Sequence, residues 1–447
     1  MKLKITILTG ILLTVSGVYA QNLHLDKIDD YVTLIEKNNR GIGNLTIYQH
    51  GKELYNRNFG QAALPGPTDG SDTKYHIGSI TKTYTAVLIF QLIEQNRLSI
   101  EDRLERFFPD MPGAKEITIR QMLEHTSGLG DYVIRDGDPD WLLEKVTEQD
   151  ILTEIKRQGL VNPPGTKEEY SNSAYYLLGM IAEKIHKKDF GSLVQEYISK
   201  PYHLKNTVSL AALAAKPGKV SKSYEYENNG WQKKKDFYFP NTKGAGDIVA
   251  TTEDMLLFIN ALFEYRILSK ESITVMKPVI EKKEYFGRGL MQIPLNKHRF
   301  YGHGGDTRGT HSVLGYNEED GVSLALVING ERYTRNQFIL GVLSLMYETP
   351  FELPHFMEYQ VSSEQLSQYD GIYSSAGFPL KVTISHAEGT LFAQGTGQPS
   401  FPLEATDLHK FSMEEAGLQL EFKPEKHLMI LKQGGSEFEL KKEETPK

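Results

Sequence analysis

A serine hydroxyl becomes a nucleophile only beside a base, and the sequence twice places a lysine three residues after a serine: Ser71 with Lys74, and Ser79 with Lys82. Context separates the two. Ser71 sits among Pro65, Gly66, Pro67, Gly70 and Asp72, where nothing fixes a lysine relative to a hydroxyl. Ser79 follows Gly78 and opens an apolar run through Ala86, Val87, Ile89, Phe90 and Leu92 to about Gln95, which predicts a buried helix with Lys82 one turn on and on the same face. The N–H of Ser79 would then lie at the positive end of that helix, where a developing oxyanion is stabilised. The competing reading is a helix N-cap, and on the Ser-x-x-Lys pattern alone the cap is the commoner outcome.

Two further stretches could complete such a site. Tyr170-Ser171-Asn172, after Pro163-Pro164-Gly165-Thr166, puts a phenol and an amide at the expected start of another helix, from which both can project into a cleft. Tyr301-Gly302-His303-Gly304-Gly305-Asp306-Thr307 precedes strand patterns, and its glycines let a substrate lie against the backbone. Other chemistries find little support. There is no cysteine, which excludes disulfides, thiolate metal sites and a cysteine nucleophile. His125 stands alone, with no His-Glu-x-x-His spacing, and is read as a helix-end residue that holds structure. Gly244-x-Gly246 lacks a third glycine in register and reads as a turn lining the cleft. No metal or cofactor is expected.

The elements that must hold these residues follow from periodicity. Leu25 to Lys37 has a helical pattern, and Asn44 to Gly60 reads as a hairpin turning at His50-Gly51-Lys52. From Asp102 to Asn260 most segments read as helical: Thr118 opens a capping box with Gln121 in a helix ended by Gly128, and Thr251 opens another with Asp254. Strand patterns return at His311 to Gly315 and Val322 to Asn329, across a turn at Asn317 to Gly321, and a helix from Arg335 to Tyr347 follows. This order predicts a sheet assembled from both ends of a domain, a mainly helical insert beside it, and a cleft at the junction. After Pro354, short alternating strands at Tyr369 to Tyr373, Leu380 to Ile384, Leu418 to Phe422, His427 to Leu431 and Glu437 to Leu440 predict a small all-β unit, barrel or sandwich.

Ser79-Ile80-Thr81-Lys82, Tyr170-Ser171-Asn172 and His303-Gly304-Gly305, in that order, resemble the three motifs of the serine β-lactamase and penicillin-binding superfamily. The resemblance is to the branch containing class C β-lactamases, D-alanyl-D-alanine carboxypeptidases, D-aminopeptidases and related esterases. Met122 to Leu129, Pro164-Gly165-Thr166 and Gly244 to Thr251 add supporting matches, and the similarity runs over roughly residues 25 to 350. It implies an α+β fold: a β-lactamase/transpeptidase-like antiparallel sheet flanked by helices, with the mainly helical insert. The tail resembles the lipocalin-like barrels appended to this branch. The expected division is a signal peptide at 1–20, a hydrolase domain at 21–352 and a barrel domain at 353–447.

The resemblance also implies roles. Ser79 attacks a carbonyl, Lys82 serves as base if burial lowers its pKa, and Tyr170 takes or returns the proton, with the choice of base between the two left open. Asn172 bonds Lys82 or the substrate amide, His303 completes the catalytic set, the N–H groups of Ser79 and Asp306 form the oxyanion hole, and Gly304, Gly305 and Arg308 meet the substrate. Many class C lactamases have a lysine where His303 stands, and a mostly neutral histidine offers no permanent cation to a carboxylate, which weakens the lactamase reading. The family usually has a small residue at Asp306. Its carboxylate is expected either to repel anionic substrates or hold Arg308, favouring a substrate with a free amino group, or to face away and pair locally.

The resulting expectation is an exported serine hydrolase that forms an acyl-enzyme with an amide or peptide containing a D-amino acid. An esterase, a β-lactamase and a slowly acylated sensor are its alternatives. Export is read from Lys2 and Lys4, an apolar run from Ile5 to Val18, and Val18-Tyr19-Ala20 before Gln21, a signal-peptide order that implies a periplasmic or secreted protein with no integral membrane segment after cleavage. A formal charge of -8 argues against nucleic-acid binding. The expected partner is a small-molecule or peptide substrate, with a homo-oligomer through the C-terminal domain as a further expectation.

Overall fold

The computed structural model describes residues 23–443 apart from 65–69, 71, 213–215, 228–229, 280–284, 296–297, 355, 357–360, 388, 399, 414–415 and 434. The expected leader at Met1 to Ala20 and Ser71 of the first Ser-x-x-Lys pair lie outside the described residues.

The central sheet joins the two ends of the first 350 or so residues. Its strands run in the order Lys52–Phe59, Gly41–Gln49, Val322–Glu331, His311–Tyr316, His298–Asp306 and Met291–Leu295, each antiparallel to its neighbour. Gly41–Gln49 therefore lies against Val322–Glu331, from Gly41↔Glu331 to Gln49↔Val322. Side chains alternate along Val322–Glu331: Leu324, Leu326 and Ile328 face a core with Tyr31, Val32, Phe338 and Val342, from the helices Leu25–Lys37 and Arg335–Met346. Ala325 and Val327 face the other core, which holds the helices Thr81–Glu94, Asn172–His186 and Thr252–Phe263. The strand is buried on both faces, so it reads as one apolar run. The fold is the α+β arrangement expected.

The insert is less helical than its sequence pattern suggests. The capping box of Thr118 and Gln121 is present, but its helix spans only Ile119–Leu123 and is ended by His125 at φ 58°, ahead of Gly128. Short strands at Val208–Ser209, Tyr224–Glu227, Gly230–Lys233 and Ile248–Ala250 interrupt it, too short to show a period. His303 also lies inside a strand and not before one, because Gly302, Gly304 and Gly305 give His298–Asp306 no alternating pattern. Gly302 is required there: a Cβ would come 1.8 Å from the Leu314 carbonyl oxygen.

The C-terminal strands close into a barrel of eight, from Gly371–Ser374 to Ser436–Lys442, the first paired to the last at Tyr373↔Lys442. Leu366, Tyr369, Tyr373, Phe411, Leu420, Phe422, Met429 and Leu440 fill its own core. Closure decides for a barrel over a sandwich. Among the described residues no helix is long and apolar enough to cross a membrane.

Candidate active site

Ser79 stands in a 3-10 turn, Gly78–Ile80, that feeds the buried helix Thr81–Glu94. Close approach to the sheet dictates the glycines on either side. Gly78 has φ 51° and a Cβ on it would lie 2.8 Å from the Asp306 nitrogen, while a Cβ on Gly305 would lie 2.0 Å from the Ile77 carbonyl oxygen. Ser312 Oγ donates to that same carbonyl at 3.0 Å, and Ile77 N–H donates to Ile248 O at 3.2 Å, so the turn is fixed from both sides. Ser79 does not cap the helix. The N-cap position is Ile80, with no side-chain cap bond, and Ser79 Oγ instead meets Lys82 Nζ at 3.0 Å and Tyr170 OH at 2.8 Å.

Lys82 is fully buried, and its Nζ also lies 2.7 Å from Asn172 Oδ1 and 2.8 Å from Ala245 O. These last two atoms only accept. A neutral amine therefore keeps its two N–H groups on them and turns its lone pair to Ser79. Burial pulls Lys82 down to about 7, against the opposing pull of the Asp131 charge. Asn172 is fixed in turn by Asp131, whose Oδ2 accepts from Asn172 Nδ2 at 2.8 Å and whose Oδ1 accepts from Val133 N–H at 3.0 Å. Burial raises the Asp131 carboxyl despite those bonds. Asp131 and the Ala245 carbonyl are absent from the residues expected from sequence. The one signal for Asp131 is its place just after Met122 to Leu129, and the Gly244-x-Gly246 turn carries the carbonyl. That turn is held by Asp247, which accepts from Gly244 N–H at 2.8 Å and from Ser209 Oγ, and by Thr85 Oγ1, which donates to Gly244 O at 2.6 Å.

Tyr170 precedes the helix Asn172–His186, whose N-cap Ser171 accepts from Ala174 N–H at 3.2 Å. Its ring stacks on His125 with centroids 4.4 Å apart and leans on Phe286 at 5.4 Å. His125 Nδ1 accepts from Ser171 N–H at 3.1 Å and His125 O accepts from Glu169 N–H at 2.7 Å, so the residue read as holding structure holds the backbone on either side of the tyrosine, a role the sequence did not indicate. Burial, the largest cause, takes the imidazole well below its ordinary pKa and holds it neutral. Burial also pushes the Tyr170 phenol well up, so at neutral pH it keeps its proton.

The strand supplies the opposite wall. Met291–Leu295 stops pairing at Gly302, so among the described residues positions 303 to 306 have one unpaired edge. His303 Nδ1 lies 2.5 Å from Gly304 O, an acceptor, which places the ring proton on Nδ1. Burial and the nearby Lys82 take its pKa down to about 3. The ring is neutral, and no hydrogen bond among the described residues joins it to Ser79, Lys82 or Tyr170. Gly304 has no steric need to be glycine, since the nearest atom to its Cβ would be Arg335 Nη1, at an ordinary 3.6 Å. Asp306 points to the face away from Ser79 and pairs with His311 Nδ1 and Arg335 Nη1, each at 2.8 Å. It does not hold Arg308. That guanidinium pairs with Asp140, and the Arg308 N–H donates to Asp236 at 3.0 Å, because the chain turns away after the strand ends. Lys74 of the other Ser-x-x-Lys pair donates to Asp72 O at 3.2 Å. No group of three or more His, Asp or Glu among the described residues could hold a metal ion.

Comparison with known proteins agrees with this arrangement. The chain is 26% identical over 238 residues to PbpX of Bacillus subtilis, a match covering 52% of this chain and 58% of that protein, so it spans less than two thirds of that relative. It is 25% identical over 320 residues to a teichoic acid D-alanine hydrolase of Staphylococcus aureus, covering 70% of this chain and 76% of that one. The crystal structure of a D-amino acid amidase from Ochrobactrum anthropi SV3 superposes with a TM-score of 0.59 at 25% identity, over 73% of this chain and 98% of that one. The β-lactamase family model matches residues 30–340, the span that carries every side chain gathered around Ser79, and the chain belongs to the β-lactamase family.

Proposed function

We propose that the protein is an exported serine hydrolase that cleaves an amide or ester bond on the acyl side of a D-amino acid through an acyl-enzyme on Ser79. The observation that carries this reading is the shared position of Ser79 Oγ, 3.0 Å from a buried amine and 2.8 Å from a half-buried phenol. Neutral Lys82 takes the Ser79 proton as the hydroxyl attacks. Tyr170, protonated at neutral pH, passes its proton to the leaving group, and the Lys82 ammonium returns a proton to the phenolate, which restores the neutral amine. The N–H groups of Ser79 and Asp306 stabilise the oxyanion, a role supported by the closeness of Gly78 to the Asp306 nitrogen. Water then repeats the sequence on the acyl group.

A neutral His303 supports a substrate without a carboxylate at that place and counts against efficient lactam turnover. The D-amino acid is supported by two of the relatives, one named for D-alanine and one for D-amino acid amides. Steady-state turnover of a D-amino acid amide, its aryl ester and a chromogenic cephalosporin, each with Ser79→Ala alongside, tests the reading. Amide and ester cleavage lost by at least about a thousandfold in the variant, with little cephalosporin turnover, is expected. Cephalosporin turnover alone, or stoichiometric labelling with no turnover of any, contradicts it.

A further inference from the structure

Two arginines of the hydrolase body end on one carboxylate of the barrel. Arg332 donates to Glu404 Oε1 from Nε at 3.1 Å and from Nη2 at 2.7 Å, and Arg40 donates to Oε2. Both guanidiniums are largely withdrawn from water, and Arg332 also lies over the Tyr226 ring, 3.8 Å from its centroid. The N–H groups of Arg332 and Tyr333 both donate to Arg40 O, at 3.1 and 2.8 Å. Removing the shared anion would leave two adjacent buried cations to repel each other. Glu404 therefore fixes where the chain passes at residue 332.

Three residues on, the same segment grips the strand beside Ser79. Arg335 Nη1 donates to Asp306 Oδ1 at 2.8 Å, Gly305 O at 3.3 Å and Ser312 O at 3.2 Å. Its backbone N–H is held by Glu331, whose other oxygen lies 3.4 Å from His311 Nε2, and His311 Nδ1 returns to Asp306. One five-residue segment is thus tied to the barrel at Arg332 and to the Gly305–Asp306 backbone at Arg335.

We propose that Glu404 of the barrel is a positioning residue for the hydrolytic site: it pins Arg332, which sets Arg335, which sets the Gly305 and Asp306 backbone opposite Ser79. The proposal rests on the serine-hydrolase reading above. Glu404 touches neither Ser79 nor its partners, so its loss acts on the transition state and leaves substrate binding nearly untouched. Displacing oxyanion donors by a fraction of an ångström lowers kcat while KM holds.

The test is a kinetic cycle in the full chain on a D-amino acid aryl ester, with Glu404→Gln, Arg335→Lys and the double variant. Glu437→Gln, which breaks an exposed barrel pair with Lys432 at 3.2 Å, is the control. Glu404→Gln is expected to lower kcat about tenfold with KM within about twofold, and the double variant to be no slower than the slower single variant. The control keeps wild-type kcat. Wild-type kcat in Glu404→Gln, effects that multiply in the double variant, or an equal loss in the control each overturn the proposal. Should Glu404→Gln not melt cooperatively, Arg332→Lys takes its place in the cycle with the same expectations. A wild-type chain with no Ser79-dependent turnover is a separate outcome, since it removes the hydrolase reading and this proposal with it.

Discussion

Lys82 can act as a base because every partner of its nitrogen other than Ser79 only accepts. Asn172 Oδ1 and Ala245 O take two N–H groups, and burial lowers the cost of losing the third proton. Activity needs the neutral amine, so kcat/KM should rise with pH through a limb near about 7. Asp131 opposes that shift, since its charge favours the ammonium. Asp131→Asn should therefore move the limb to lower pH, as a pH profile of ester hydrolysis will show, and a limb that stays or moves up contradicts this electrostatic account. Ser79, Lys82, Tyr170 and Asn172 are legible in sequence because short motifs fix their types and local spacing. Asp131 and the Ala245 carbonyl are not: a buried carboxylate obeys no spacing rule, and a backbone carbonyl carries no residue-type signature. Nothing in the sequence chooses between Lys82 and Tyr170 as base; the proposed choice of Lys82 rests on burial, which lowers one pKa and raises the other.

At the scale of elements, the site depends on a turn pressed against a strand. Gly305 is demanded by that approach and Gly304 is not, although sequence gives the two glycines one role. Gly305→Ala puts a methyl 2.0 Å from the Ile77 oxygen and should cost about 2 kcal/mol or more, together with most of the activity. Gly304→Ala meets an ordinary 3.6 Å contact and should stay within about 0.5 kcal/mol of wild type. Urea unfolding of both variants checks the pair, and equal losses would mean that the turn does not rest on the strand as described. The same glycines explain why His298–Asp306 escapes a periodicity reading, whereas Leu25–Lys37, with its apolar stripe of Ile28, Tyr31, Val32 and Ile35, is legible to its ends.

At the scale of the whole molecule, Ser79 lies early in the chain and the strand opposite it more than two hundred residues later, so the site exists only when both ends share one sheet. That closure is legible in sequence from the order of patterns alone. In the barrel, Thr390–Gly395, Phe401–Asp407 and Lys410–Met413 go unread because adjacent Leu391 and Phe392 blur the alternation of the first, Pro402 interrupts the second and the third has only four residues, yet eight strands close around one core. The most direct measurement of the central claim is rapid acid quench of the full chain with a D-alanyl aryl ester, followed by intact-mass and peptide analysis. A transient D-alanyl adduct is expected on the peptide containing Ser79, absent in Ser79→Ala and slowed by at least about a hundredfold in Lys82→Met. Turnover that proceeds with the adduct on another residue, or undiminished in either variant, would contradict it.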